Sequence, residues 1–307
     1  MLEDPWRHRQ PDAADRPAPS LLTGERFLVR AMPRTAEAVL EATACVVDGG
    51  WGNYRQFHPM FAFYAANRRS RTFLARDGEG RVAATSVATR YTRTGWIGHV
   101  FVRPELRGHG LGTRMTSVAV RHLQRSGCES ILLASTELGL RIYERLGFET
   151  ESCYHELRGI ALPKTGGLAP YRPLLPSDRA AVSELDRQVS GDDRRPLLSR
   201  FEDYAWGVSR DGSLAGAAIA LPWGGAWAAL LADSGEAEAA AMVRLIRTIG
   251  SVGPEVILYP PDENRRALDL LRDSGFEELR TVPRMVLGRR SEWLPAAVWS
   301  PMSLGLG

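Results

Sequence analysis

Short apolar runs and stretches with apolar residues every third or fourth position alternate along this chain, separated by turns rich in Gly, Asp and Pro. Runs of the first kind predict strands and stretches of the second kind predict amphipathic helices. "LARDGEGRVAATSVATRYTRTGWIGHVFV", from Leu74, reads as strand, turn, strand, turn, strand, with Asp-Gly suited to the positive φ of a hairpin turn. "TRMTSVAVRHLQRSG" follows, with Met115, Val118, Ala119 and Leu123 on one helical face and Gly127 as its stop. "IYERLGFETESCYHEL", from Ile142, reads as a helix end, a glycine C-cap and a final strand.

The same series occurs a second time. "VSRDGSLAGAAIALPWGGAWAALLA", from Val208, repeats the hairpin pattern, and "LLRDSGFEELRTVPRMVL", from Leu270, repeats the helix, Gly-Phe stop and strand. The chain reads as an internal duplication. Each half is expected to run strand, helices, two or three antiparallel strands, helix, strand, helix, strand. The class is α/β, with a mixed, mostly antiparallel sheet flanked by helices in each half. Residues 1–22 form a polar, Pro-rich tail expected to be disordered, 23–160 the first domain, 161–172 the linker, marked by the Pro- and Gly-rich "LPKTGGLAPYRP" (Leu162 to Pro173), and 173–307 the second domain.

Composition narrows the partners. The 307 residues are 44% apolar, enough for two cores, and the formal net charge is only +3, which argues against a nucleic-acid binder. Basic residues are almost all arginine, Lys164 being the one lysine. Cys45, Cys128 and Cys153 form no CxxC and no zinc spacing, so reduced thiols, no metal and a cytoplasmic location are expected. No apolar leader occupies the first twenty residues. The longest uncharged stretch, Gly212 to Ala232, is interrupted by "PWGG" and predicts a hairpin, not a membrane span.

The candidate chemistry starts at "RPELRGHGLGTRM", Arg103 to Met115. It lies where a strand ends and a helix begins. A helix N-terminus presents unpaired N–H groups and the positive end of its dipole, and glycines let the backbone close around an anion. The loop is a candidate pyrophosphate cradle, with Arg107 and either Arg103 or Arg114 adding charge. No "GK[ST]" follows, so it is not a P-loop. Antiparallel hairpins precede it, so it is not a dinucleotide loop of the βαβ type. A plain glycine turn with no ligand is the lesser alternative.

The spacing adds to this. "RGHGLG" is RxxGxG, and thirty-one residues past Gly112 comes Tyr143, in "RIYERLGF". Together these motifs resemble the GNAT N-acyltransferase superfamily, over about residues 24 to 158. The resemblance implies two tandem GNAT folds. It also implies acetyl-CoA, or another acyl-CoA, as cosubstrate and direct attack of an amine on the thioester. The backbone of Phe101 and Val102 is expected to pair with the pantetheine arm. Arg107, Gly108, His109, Gly110, Leu111, Gly112 and Thr113 are expected to surround the pyrophosphate. Tyr143 is the expected general acid. Family bases often lie on the fourth strand, where Trp96 and Gly98 cannot serve, which leaves His99 beside them, with Glu137 and His58 as further candidates and a water relay as the route that needs none of the three. Thr136 stands where the family often has Asn and is expected to donate a hydrogen bond to the acyl-CoA in its place. The acceptor is expected near Trp51, Tyr54 and His58, with Asp192, Asp193 and Arg194 of the second half closing over it.

The second half lacks this chemistry: Leu271 occupies the place of Tyr143, and "DSGEAEAAAMV" the place of the glycine loop. The half also carries "LDRQVSGDDRRPLL", which resembles a tandem GNAT subgroup with a degenerate C-terminal domain. The expected function is N-acylation of a small-molecule amine. A protein or peptide N-acetyltransferase and a non-catalytic acyl-CoA-binding module are the alternatives, and either a monomer or a homodimer is compatible.

Overall fold

The computed structural model describes residues 27–163, 171–250 and 253–307. The N-terminal tail and most of the linker lie outside them. The chain divides into two compact units: residues up to Thr89 with Ile97–Leu123, and Arg90–Trp96 with Gln124–Gly307.

The first unit is built from β1 (Leu28–Ala31), α1 (Ala36–Asp48), α2 (Tyr54–Ala66), β2 (Ser70–Arg76), β3 (Val82–Arg90) up to Thr89, β4 (Thr94–Val102) from Ile97 on, and α3 (Leu111–Arg125) up to Leu123. Its strands lie in the order β1-β2-β3-β4, with β2 antiparallel to both β1 and β3. Thr35 caps α1 by accepting the Ala38 N–H, and Asn53 caps α2 by accepting the Gln56 N–H. Residues Val82 to Thr89 of β3 are all buried. A strand covered on both faces needs small side chains, which "VAATSVAT" supplies. Helix α3 directs Leu111, Met115, Ala119 and Leu123 inward, and the Ser86 hydroxyl of β3 donates to the Met115 carbonyl at 3.2 Å.

In the second unit, β5 (Ser130–Ala134), α4 (Glu137–Arg145) and β6 (Glu149–Ile160) complete the first repeat. The second repeat follows: β7 (Tyr171–Pro173), α5 (Arg179–Ser190), α6 (Arg195–Leu198), β8 (Ala205–Arg210), β9 (Ser213–Ala220), β10 (Ala226–Leu230), α7 (Glu236–Ile249), β11 (Glu255–Leu258), α8 (Arg265–Asp273) and β12 (Glu277–Gly288), with β13 (Val298–Ser300) after it. One run of strands is β13-β10-β9-β8-β7. Against it Met242, Leu245 and Ile246 of α7 join Leu268, Leu271 and Trp299 in a common core. The "PWGG" stretch is the β9–β10 turn, with Gly224 and Gly225 at φ of 102° and 82°. Among the described residues no helix is long and apolar enough to cross a membrane.

The other run is β5-β12-β6-β11. Strand β12 is antiparallel to both β5 and β6, and β11 is antiparallel to β6. Each repeat's penultimate strand therefore pairs with the other repeat's final strand. The register makes this symmetric. Tyr154 and Val282 each stand seven residues past the glycine stop, Gly147 or Gly275, and they are directly paired. The duplication is present, with an exchange of strands that composition and period do not reveal. The boundary expected at 161–172 thus separates strands that share one sheet.

Candidate functional site

In the first unit the β4–α3 loop is open. Gly108 and Gly110 have φ of +82° and +75°, and a Cβ at either would meet no atom within 4 Å. Their conformation is the left-handed one that glycine adopts without strain, and their exposed backbone faces unobstructed space. Helix α3 starts at Leu111, and Arg114 N–H donates to the Gly110 carbonyl at 3.0 Å. The N–H groups ahead of it, in the first turn, have no acceptor inside the helix. His109 is exposed, while Gly112 and Thr113 are half-buried in that turn. Arg107 lies with its Cζ 5.8 Å from the Phe101 ring centre and donates from Nε to the Val102 carbonyl at 3.1 Å. Burial lowers its pKa. The Val102 carbonyl therefore already accepts one bond from the loop's own arginine. These residues fit a diphosphate: two open left-handed glycines, a helix N-terminus and a nearby guanidinium.

His99 sits on β4 with φ +50°. Its Nε2 is 2.9 Å from the Tyr64 hydroxyl, and its carbonyl accepts the Thr85 hydroxyl at 2.9 Å. The rings of Trp51, Phe57, Phe61 and Tyr64 lie 5.4 to 6.3 Å from its imidazole, centre to centre. Burial among them pushes its pKa down to about 4. The imidazole is neutral at pH 7 and has little affinity for a proton.

Trp51 stacks on Phe101 at 5.7 Å, 19° from coplanar. It reaches that position because Gly49 and Gly52 bracket it. A Cβ at Gly49 would lie 2.4 Å from Phe101, and one at Gly52 would lie 2.3 Å from Phe57. Tyr54 is 45% exposed, and its hydroxyl is 3.5 Å from the Asp48 carboxylate. His58 is half-buried on the first turns of α2. Of the aromatic segment, Phe57, Phe61 and Tyr64 are core, and Trp51 and Tyr54 lie nearer the surface.

In the second unit Tyr143 is buried on α4, edge-on to Phe148 at 5.9 Å. Burial pushes its phenol up to about 12, so it is protonated throughout the neutral range. A Cβ on Gly139, one turn earlier, would stand 2.6 Å from the Tyr143 ring. This glycine, four residues ahead in "ELGLRIY", makes the space for the phenol. Its sequence signal is the i, i+4 spacing, which motif matching passes over. Thr136 is the N-cap of α4 and Glu137 its exposed first residue. The turn leading into them is tied to β12, where the Pro283 carbonyl accepts the Ser135 N–H at 2.8 Å.

The structure gives Asp192, Asp193 and Arg194 contacts within the second unit, and for Asp192 and Arg194 these are buried ones. The Asp192 carboxylate accepts from Arg93 N–H at 2.9 Å, Thr94 N–H at 2.7 Å and the Thr94 hydroxyl at 2.8 Å. Arg194 forms a bidentate pair with buried Asp186, at 2.6 and 3.2 Å, and reaches the Gly307 carbonyl at 2.7 Å. Asp193 pairs with Arg195. The buried carboxylate and guanidinium are matched by these partners, which accounts for both without an acceptor molecule. Sequence reading missed Asp186, whose buried position on α5 is not marked by any motif.

At the corresponding start of α7 the second repeat places its own carboxylate. Glu238 Oε2 accepts the Gly235 N–H at 2.6 Å. A side-chain anion thus occupies the helix end that in the first repeat is left to glycines. Leu271, in the place of Tyr143, is fully buried core.

Residues 39–148 match the Acetyltransferase (GNAT) family and residues 182–293 match an Acetyltransferase (GNAT) domain. A mycothiol acetyltransferase of Thermobispora bispora is 31% identical over 169 residues, covering 47% of this chain and 52% of that one. A second, from Saccharomonospora viridis, is 31% identical over 151 residues, covering 44% and 49%. The chain spans about half the length of these curated relatives. The fold is shared more widely. An acetyltransferase structure from Pyrococcus horikoshii superposes with a TM-score of 0.78 at 17% identity, over 92% of this chain and 96% of that one. A tandem GNAT protein from the clavulanic acid pathway gives 0.60 at 14% identity, over 85% and 98%. The two family matches fall on the two repeats in turn: the chain belongs to the GNAT acetyltransferase family and carries two GNAT domains in tandem.

Proposed function

We propose that this chain is an acyl-CoA-dependent N-acyltransferase, with acetyl the expected acyl group and the primary amine of a small molecule the acceptor. The observation that carries the reading is the open, left-handed glycine pair ahead of α3. Arg107, Gly108, His109, Gly110, Leu111, Gly112 and Thr113 hold the diphosphate, and the backbone of Phe101 and Val102 aligns the pantetheine arm. Bound acyl-CoA supplies an activated thioester. The amine nitrogen bonds to the thioester carbon, the C–S bond breaks, and the sulfur takes a proton. Tyr143 is assigned that proton transfer because its phenol remains protonated at working pH. The ammonium proton leaves to Glu137, an exposed carboxylate at the start of α4, or to solvent. His99 is a poor acceptor for it, since its ring is held near pKa 4. A small-molecule acceptor is supported by the names of the mycothiol acetyltransferases matched over part of the chain.

The test is thiol release from acetyl-CoA with a panel of amines: aminothiols and amino sugars, polyamines, amino acids and short peptides. Turnover with one small-amine class, lowered about 100-fold in Tyr143→Phe, supports the reading. Turnover with peptides alone moves it to a protein acetyltransferase. Tight acetyl-CoA binding with no turnover on any amine favours a sensor. Absence of binding refutes it.

A further inference from the structure

Strand β4 changes character at His99. From Thr94 to Gly98 every residue is buried; beyond it only Phe101 is. The change falls on the one non-glycine residue of the described first unit whose φ lies in the left-handed region. Such a residue stays there only because its surroundings hold it. Two buried hydroxyls do so here: Tyr64 on the imidazole and Thr85 on the carbonyl, each at 2.9 Å. Tyr64 is 1% exposed and Thr85 not at all. A hydroxyl in a strand as covered as β3 is costly unless bonded, and the His99 carbonyl is the partner of Thr85. Three residues past His99, at the end of β4, the Val102 carbonyl is held by the Arg107 side chain. The segment Val100–Val102 is thus held at both ends.

We propose that Tyr64 and Thr85 are positioning residues for acyl-CoA binding. By holding His99 in its left-handed turn, they set the path of Val100–Val102, the strand segment assigned to the pantetheine arm. This rests on the acyl-CoA reading above. It makes His99 a hinge pin of the strand: its Nε2, the nitrogen a base would need, is already engaged by the Tyr64 hydroxyl.

The experiment is calorimetric titration of the full chain with acetyl-CoA and, separately, with ADP, which has the diphosphate but no pantetheine. Wild type, Tyr64→Phe, Thr85→Val and Thr85→Ser are compared, with urea midpoints confirming that each is folded at 25 °C. Tyr64→Phe and Thr85→Val are expected to weaken acetyl-CoA by about tenfold, the value of one lost buried hydrogen bond. Thr85→Ser restores the hydroxyl and is expected within about twofold of wild type, as is ADP with every variant. Unchanged acetyl-CoA affinity in Tyr64→Phe and Thr85→Val overturns the proposal and leaves the acyl-CoA reading intact. Equal losses for ADP and acetyl-CoA also overturn it, since they indicate general loosening. A wild type that binds neither ligand sinks the acyl-CoA reading and the proposal with it.

Discussion

Tyr143 is the side chain on which turnover is expected to depend most directly. Its buried phenol stays protonated to about pH 12, so loss of its proton does not shape the rate in the neutral range. Tyr143→Phe is expected to lower turnover about 100-fold, within the usual span for a lost general acid, while acetyl-CoA affinity stays within about twofold. Steady-state rates beside calorimetry check this. Gly139→Ala pushes a methyl into the phenol ring and is expected to reduce turnover in the same direction, with the helix still formed. His99 makes a prediction in pH. Its folded pKa is about 4, against an ordinary 6.5, so between those values the unfolded chain binds more protons. Stability is complete above pH 6.5 and falls by about 3 kcal/mol as pH drops to 4. Urea unfolding at pH 7 and pH 4.5 measures it, and His99→Asn is expected to flatten that part of the slope. The glycine loop, Tyr143 and the Leu271 replacement were legible as motifs with fixed spacing. The roles of Tyr64, Thr85 and Gly139 were not, because each acts on a residue that only the fold brings beside it.

Strand β12 is the element on which the two repeats depend. It pairs along β6 from Arg158 to Glu149 and along β5 from Ala134 to Ser130. Arg284, at the middle of that pairing, has Cζ 4.0 Å from the Trp293 ring and 5.1 Å from Trp96. It also forms a 2.7 Å ion pair with buried Glu151 and donates to the Tyr154 hydroxyl at 3.1 Å. Arg284→Ala leaves that carboxylate buried and unpaired and is expected to cost about 3–5 kcal/mol, read from the urea midpoint. A fragment ending at Ile160 keeps every motif of the first repeat but loses β12. It is expected to be insoluble or to lack cooperative unfolding by circular dichroism. Hairpins and helix stops were readable in advance because their signals are local: Asp-Gly, Pro-Trp-Gly-Gly, Gly-Phe. The exchange of final strands was not readable, since β6 and β12 carry the same pattern and either could sit beside β5.

For the whole molecule, among the described residues one repeat leaves its helix start to open glycines and the other fills it with Glu238. The chain is expected to bind one acetyl-CoA, because Glu238 occupies the second helix end; calorimetric stoichiometry near one per chain checks this. The placement of β12 also has a consequence in time. It is the last long strand to be synthesised, yet it belongs between two strands made far earlier. Until it emerges, the facing edges of β5 and β6 have unpaired N–H and C=O groups, the kind of edge that recruits other chains. Local hairpins can form as they leave the ribosome, whereas this closure waits on a contact of very long sequence separation. A nascent chain stalled before Glu277 lacks the strand that joins β5 to β6 and is a half-knit sheet.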